Sequence, residues 1–358
     1  MRLLYYITSH GYGHAVRACV ICNALPPETE VVIRTTVPRR FFEKEVSRPF
    51  VYEPEAFDCG CVQLDGITVD KAKTLEAYRE CADRNRDLLD KEVAWCKRRK
   101  IDIVISDIVP FAFEVAKRAD IPSVAATNFT WQTIYSEYTP SYRDFAPYLS
   151  EIERQYALAD LLIALYPAND MSCFGNQVQV RPVGRIGKDV RGSFNTRYGI
   201  SEEKKVGLIY TGTFGMDAVP WKMLEKFDEW KFFGLYPLPG SPANYRCVSK
   251  KDFRYQDCIA SADVMICKLG YGACAECFIN GQPIIYLPRT GFAEFPVLQK
   301  AVEEWGHGYL LSRDDFYALR WHEALQSVAG RQRPARMQSD GAQKCVLAIE
   351  NVYRSSHV

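Results

Sequence analysis

At 358 residues the chain is long for a single hydrophobic core, so two domains are expected. Lys plus Arg number 45 against 44 Asp plus Glu, and this balance excludes nucleic acid as the main partner, because no basic excess is present to neutralise phosphates. No apolar run reaches the roughly 18–20 residues that span a bilayer, and Met1-Arg2 leads straight into a strand-like stretch without a signal-peptide layout, so a cytoplasmic protein without integral membrane contact is expected.

Residues 2–8 read as a strand that runs into Ser9-His10-Gly11-Tyr12-Gly13-His14, and 15–25 as an amphipathic helix stopped by Pro26-Pro27. Strands at 30–36 and 50–53 flank a short basic helix opened by Pro38, and 75–99 is a long helix whose many charges suit a solvated face. The run 102–106 is a buried strand ending at Asp107, followed by a helix at 111–119 and a strand at 123–127 that ends at Asn128-Phe129-Thr130-Trp131. The aromatic-rich segment Tyr135 to Tyr148 is either a lid over a ligand or core, and a helix at 151–159 and strands at 161–165 and 178–183 complete the first half.

Residues 184–193, with three glycines and alternating charges, read as a linker, after which the alternation restarts. A strand at 206–210 meets a glycine turn, Thr211-Gly212-Thr213-Phe214-Gly215; a helix at 221–230, strands at 232–236 and 245–248, and a short helix at 253–261 follow. The apolar run Val264-Met265-Ile266-Cys267 is a strand leading into Lys268-Leu269-Gly270-Tyr271-Gly272, and a helix begins near Ala275. Strands at 283–287 and 309–311 and a helix at 343–353 close the chain. The pattern is α/β: two Rossmann-like halves, 1–184 and 194–340, with 341–358 as a helix packing back on the first half. Ligands of such sheets sit at the carboxyl ends of the strands, which gathers His10, His14, Asp107, Asn128, the turns at 211–215 and 268–272, and Glu276 around one cleft.

The turn at 268–272 joins a strand to a helix, where backbone N–H groups and the helix dipole hold an anion. Glu276, one turn further on, suits a ribose diol because a carboxylate accepts from two hydroxyls. Neither Gly11-Tyr12-Gly13 nor Gly270-Tyr271-Gly272 completes a dinucleotide fingerprint, since Val16 and Ala275 stand at the third glycine place. No P-loop, zinc-protease or nucleophile-elbow motif occurs. No Asp-x-Asp sits at a strand end to hold a cation under a diphosphate, so no metal and no cofactor is expected, and an anion here is neutralised by helix N-termini and side chains. Thirteen cysteines include the spaced pairs Cys19/Cys22 and Cys274/Cys277; buried reduced thiols suit their apolar helices better than zinc or a redox pair.

Gly11-Tyr12-Gly13-His14-Ala15-Val16-Arg17 and the stretch from Lys268 to Glu276 resemble the two signatures of metal-independent GT-B glycosyltransferases. The wider pattern is similar to the family that makes lipid II from UDP-N-acetylglucosamine. It is closer still to the glycosyltransferase-like N-terminal domain of plant-type L-arabinokinases, which residues 58–65, 128–131 and 292–298 resemble, and the likeness spans most of 1–325. The resemblance implies the GT-B fold, an acceptor (a small molecule or a glycan) on the first half, and a nucleoside diphosphate sugar, uridine-linked, on the second. It implies that Glu276 binds the ribose, that the backbones of Gly270, Tyr271 and Gly272 and of Thr211, Gly212, Thr213 and Phe214 face the diphosphate, and that the segment from Val248 to Phe253 holds the base. Glu294 and Gln299 would lie near the donor sugar, although Phe295-Pro296 stands where the lipid II family has paired glutamines.

Inverting transfer needs a base for the acceptor hydroxyl, and a histidine suits this task. His14 is the first candidate, placed where the helix dipole favours a neutral ring, and His10 is the second. Asp107 would orient the histidine, act as base itself, or cap the next helix. Arg17 would touch a phosphate or pair with an acid, and Lys268 would neutralise the leaving diphosphate or pair across the domains. Gly11 and Gly13 would let an anion approach the first turn, while Asn128, Phe129 and Trp131 would line an acceptor pocket or pack the domains together. The same fold class also carries a hydrolysing nucleotide-sugar epimerase and a nucleotide-sugar-binding regulatory module as alternatives.

Overall fold

A computed structural model describes residues 1–64, 68–210, 218–249 and 251–356. In the first half, β1 (Arg2–Ile7), β2 (Glu30–Arg34), β3 (Phe50–Glu53), β4 (Ile103–Asp107), β5 (Ser123–Thr127), β6 (Leu161–Leu165) and β7 (Gln177–Val180) form one sheet in the order β3-β2-β1-β4-β5-β6-β7. In the second, β8 (Lys205–Tyr210), β9 (Trp230–Gly234), β10 (Tyr245–Cys247), β11 (Val264–Lys268), β12 (Ile284–Leu287) and β13 (Gly308–Leu310) run in the order β10-β9-β8-β11-β12-β13. Every pairing is parallel. The two sheets are wound alike, and each reverses direction beside its first strand, which opens a crevice between β1 and β4 and another between β8 and β11.

Helices cover both faces, which is why β4, β5 and β12 are buried along their whole length and read as continuous runs rather than alternating ones. They are α1 (Tyr12–Ala24), α2 (Arg39–Glu45), α3 (Lys71–Arg98), α4 (Phe111–Ala119), α5 (Trp131–Ser136), α6 (Ala146–Tyr156) and α7 (Arg191–Tyr198), then α8 (Tyr255–Ser261), α9 (Tyr271–Asn280), α10 (Glu294–Trp305), α11 (Arg313–Tyr317), α12 (His322–Ala329) and α13 (Gly341–Ser355). The helix α13 lies against α1, and its Cys345, Val346 and Ile349 join the core of the first sheet, whereas Leu347 on its other side is 60% exposed.

Several local expectations change. Both glycine turns are themselves the first turn of a helix: α1 begins at Tyr12 behind Gly11, and α9 begins at Tyr271 behind Gly270. Residues 221–230 do not form an α-helix; Trp221–Lys226 is a 3₁₀ turn, because Phe227 leaves the helical path to pack on Phe232 and Trp321 and Trp230 already starts β9. Part of the supposed linker is α7, held by Phe194 wedged among Phe233, Tyr198 and Phe253. The aromatic segment is core: Tyr135, Tyr138 and Phe145 are fully buried.

Candidate active site

The first turn is built by backbone geometry. Gly11 has φ +86°, which L side chains avoid, and it lets α1 start at once after β1. Neither α1 nor α9 has a side-chain cap, in contrast to α3 and α5, which Asp70 and Thr130 cap. Their leading N–H groups are therefore not satisfied by a capping side chain. A Cβ added at Gly11, Gly13 or Gly270 would enter open space, while Gly272 comes within 3.6 Å of Gly13 Cα when its Cβ is built. The two helix starts thus face each other across the cleft at close range.

His14 is 7% exposed and its Nδ1 lies 2.9 Å from both Asp107 Oδ1 and Arg17 Nη2. Arg17 Nη2 already directs two donors at Asp107 Oδ1 (2.5 Å) and Thr127 Oγ1 (3.1 Å). Nδ1 therefore carries a proton and donates to Asp107, so that in the neutral ring the lone pair is on Nε2. Arg17, 2% exposed, completes a bidentate pair through Nε to Asp107 Oδ2 and reaches Asn128 Oδ1 through Nη1. Burial pushes the Asp107 carboxyl up, but Arg17 and His14 outweigh it and hold the group below its ordinary value. Of the two roles open to Arg17, the structure places it on an acid: its guanidinium is committed to Asp107, Asn128 and Thr127 and lies over the Tyr271 ring at 4.8 Å.

Asn128 continues this network across the cleft, because its Nδ2 donates to Glu294 Oε1 at 2.9 Å. Trp131 is fully buried and donates from Nε1 to Asp58 Oδ2. The Tyr271 side chain points into the first domain, where its hydroxyl accepts from Val183 N–H, so only its backbone is available at the α9 start.

His10 is half-buried, and its Nδ1 accepts from Cys61 N–H at 3.1 Å, so its proton sits on Nε2 and it faces its surroundings as a donor. Gly60 is needed here, since a Cβ there would come 2.5 Å from His10 Nδ1. Burial, with His14, Arg289 and Lys268 nearby, pulls the His10 pKa from 6.5 to about 3. A folded-state value below the unfolded one means that the stability involved is complete above pH 6.5 and is lost as the pH falls towards 3. Urea midpoints measured at pH 7.5 and 5.5 are expected to separate in the wild type and to converge in His10→Asn, whose Oδ1 keeps the Cys61 bond. An unchanged separation in the variant would assign the slope to other groups.

On the second domain, Glu276 is 3% exposed and holds Arg185, whose Nε donates to Oε1 at 2.6 Å; Arg185 also reaches Glu45 on α2 at 3.2 Å. Lys268 ends β11 beside the start of α9. Val248 is buried in the second core and the Phe253 ring lies tilted against Phe194 at 5.2 Å, so both have packing partners. Gln299 Nε2 donates to Glu303 Oε1 along α10 at 2.7 Å. Thr211, Gly212, Thr213 and Phe214 lie outside the described residues. Sequence reasoning passed over Arg185, taken as linker charge, and Asp58 and Arg289, each of which lacks a motif of its own. All thirteen cysteines are unpaired, and burial raises the thiol pKa of both x-x-spaced pairs. Among the described residues no helix is long and apolar enough to cross a membrane.

Two like-wound parallel sheets facing each other, with an uncapped helix start from each at the cleft, define the GT-B fold of glycosyltransferases, and the chain has that fold. Spinosyn forosaminyltransferase SpnP superposes with a TM-score of 0.63 at 14% identity, over 98% of this chain and 95% of that one. MurG of Acinetobacter baumannii superposes at 0.58 and 14%, over 98% and 100%, and the calicheamicin glycosyltransferase CalG4 at 0.61 and 15%, over 99% and 95%. In sequence the chain is similar to L-arabinokinase of Arabidopsis thaliana, 31% identical over 333 residues, which is 90% of this chain. It spans 31% of that relative's length. No protein-family model matches the chain.

Proposed function

We propose that the chain is an inverting, metal-independent glycosyltransferase that moves a sugar from a uridine diphosphate sugar to a hydroxyl-bearing acceptor. The observation that carries this reading is the buried His14–Asp107 pair at the α1 start, directly opposite the α9 start. In this reading His14 Nε2 takes the proton of the acceptor hydroxyl, the oxygen bonds to the anomeric carbon, and the diphosphate leaves with the electrons of the broken C–O bond. The helix dipole and N–H groups of α9, with Lys268, receive the charge that develops. The donor occupies residues 194–340 and the acceptor 1–184, with 341–358 part of the acceptor side; no cofactor takes part beyond the nucleotide sugar itself. Phytolacca americana UGT2, complexed with UDP-2-fluoroglucose and pterostilbene, shares the fold at a TM-score of 0.60, in support of a nucleoside diphosphate sugar donor. The unpaired cysteines support a reducing, cytoplasmic setting.

The test is transfer from UDP-sugars to a panel of acceptors, with and without EDTA, and assignment of the product anomer. Retention of configuration, or activity lost to EDTA and restored by magnesium, would overturn the mechanism. Glu276→Gln is expected to weaken UDP binding about 10–100-fold in calorimetry, the size of a lost hydrogen bond to a charged group. Unaltered affinity would remove Glu276 from the ribose.

A further inference from the structure

The residue that the reaction above leaves without a task is Arg289, just beyond the end of β12. Its side chain is 8% exposed. Among the described residues its guanidinium makes no hydrogen bond: Nε is buried without a partner, and the nearest carboxylate oxygen, Glu294 Oε2, lies 3.6 Å from Nη1, outside hydrogen-bonding range. Glu294 is moreover shared, since its Oε1 already accepts from Asn128. A ring supports it closely: Arg289 Cζ lies 4.0 Å from the Phe292 centroid. Stacking on an aromatic face uses none of the guanidinium's N–H donors and leaves its planar fork free for an anion. A cation buried with so little hydrogen bonding is costly unless a ligand completes it, and burial does pull its pKa down.

Its location identifies the ligand's part. The strand β11 lies between β8 and β12, with Lys268 in register with Leu287. Glu276 and its partner Arg185 lie towards the β8 side, where the Arg185 guanidinium lies over the Tyr255 ring and Tyr255 packs at a tilt against Tyr210 at the end of β8. A nucleoside held at Glu276, with its diphosphate over the start of α9, directs its sugar to the opposite flank, the end of β12. Arg289 stands there, with Phe292 also stacked against His10 at 6.0 Å. The diphosphate already has the α9 start and Lys268, so the group for Arg289 is a second anion further along the donor.

We propose that Arg289 selects a donor whose sugar bears a carboxylate, a nucleoside diphosphate hexuronic acid, by a bidentate pair with that carboxylate. This rests on the donor-site reading above. A hexopyranuronate carries its carboxylate, C6, on C5, away from the anomeric carbon, so the pair holds the sugar without touching the bond that breaks. Two parallel N–H···O bonds also discriminate against a neutral hydroxymethyl group, which would leave the fork without a bidentate acceptor.

Calorimetric titration of the wild type, Arg289→Met and Arg289→Lys with UDP, UDP-glucose, UDP-glucuronate and UDP-galacturonate tests it, with no acceptor present. At least one hexuronate is expected to bind the wild type about tenfold or more tighter than UDP-glucose. Arg289→Met is expected to erase that preference with UDP affinity unchanged, and Arg289→Lys to keep part of it. Equal binding of neutral and acidic donors by the wild type overturns the proposal whatever the variants do. So does an equal loss of UDP affinity in Arg289→Met, which would make Arg289 a phosphate ligand. If UDP and neutral donors bind without a hexuronate preference, only the Arg289 assignment falls; if neither UDP nor any UDP-sugar binds, the transferase reading falls with it.

Discussion

Replacing His14 by alanine is expected to slow transfer by about 10²–10⁴-fold, the usual contribution of a positioned general base, and to leave UDP affinity within about twofold. The selectivity follows from position. His14 is on α1 and bonds to Asp107 of β4, both in the first domain, while Glu276, Lys268 and the α9 start belong to the second. Removal of the ring therefore takes nothing from the donor site. Asp107→Asn is expected to be nearly as severe in rate and costlier in stability, because the buried Arg17 guanidinium loses its counter-charge. It keeps an acceptor for Arg17 but no longer dictates that Nδ1 carries the proton. Rates with saturating donor, paired with UDP calorimetry, separate the two effects. Full activity in His14→Ala would sink the base assignment, and lost UDP affinity would mean that the ring binds the donor.

Arg17→Met is expected to destabilise the fold by about 3–5 kcal/mol, because it leaves Asp107 buried without its main counter-charge. Against a total stability of about 5–15 kcal/mol that is a large fraction. An exposed pair such as Arg39–Glu43 on α2 is expected to contribute only about 0.3–0.5 kcal/mol. The difference lies in solvation. Arg39 and Glu43 recover water when separated, whereas Asp107 is fully buried and its Arg17 bonds cannot be replaced from solvent. Arg17→Met combined with Asp107→Leu is expected to recover much of the loss, since an apolar pair needs no charge partner. Urea unfolding of the single and double variants measures both. A single variant within about 1 kcal/mol of the wild type would show that the pair contributes little.

The fold was largely legible because the strands carry their own signal. The runs 102–106 and 264–267 are apolar, β-branched and bounded by turns, and two such series restarting after a glycine-bearing segment imply two like-wound sheets. Helix starts were less legible. Gly13 and Gly272 look like loop residues, yet each lies inside the first turn of a helix, where lack of a side chain matters more than helix propensity. The helix α10 escaped notice because Pro296 near its start reads as a breaker, although proline is tolerated in a first turn, where its missing N–H is not needed. At the site, strand-end position and residue type pointed to His14, Asp107 and Asn128, which the fold joins in one network. What sequence could not supply was pairing at a distance. Arg17 meets Asp107 ninety residues away, Glu276 meets Arg185 ninety-one residues away, and Asn128 meets Glu294 across 166 residues. The first pairing depends on how α1 packs against its own sheet and the last on how the two sheets are docked, neither of which a local pattern encodes.

The place of α13 bears on how the chain comes to be folded as it is synthesised. Its Cys345, Val346 and Ile349 seal the core that α1 and β1 begin. As the polypeptide leaves the ribosome, the first sheet can assemble early, but the flank of α1 that α13 covers stays uncovered until residues 341–355 have emerged. The second sheet, contained between residues 205 and 310, is covered by α11 and α12, which follow it directly. The half made first is therefore the half finished last, and in the interval its exposed apolar strip is the surface for a chaperone to shield.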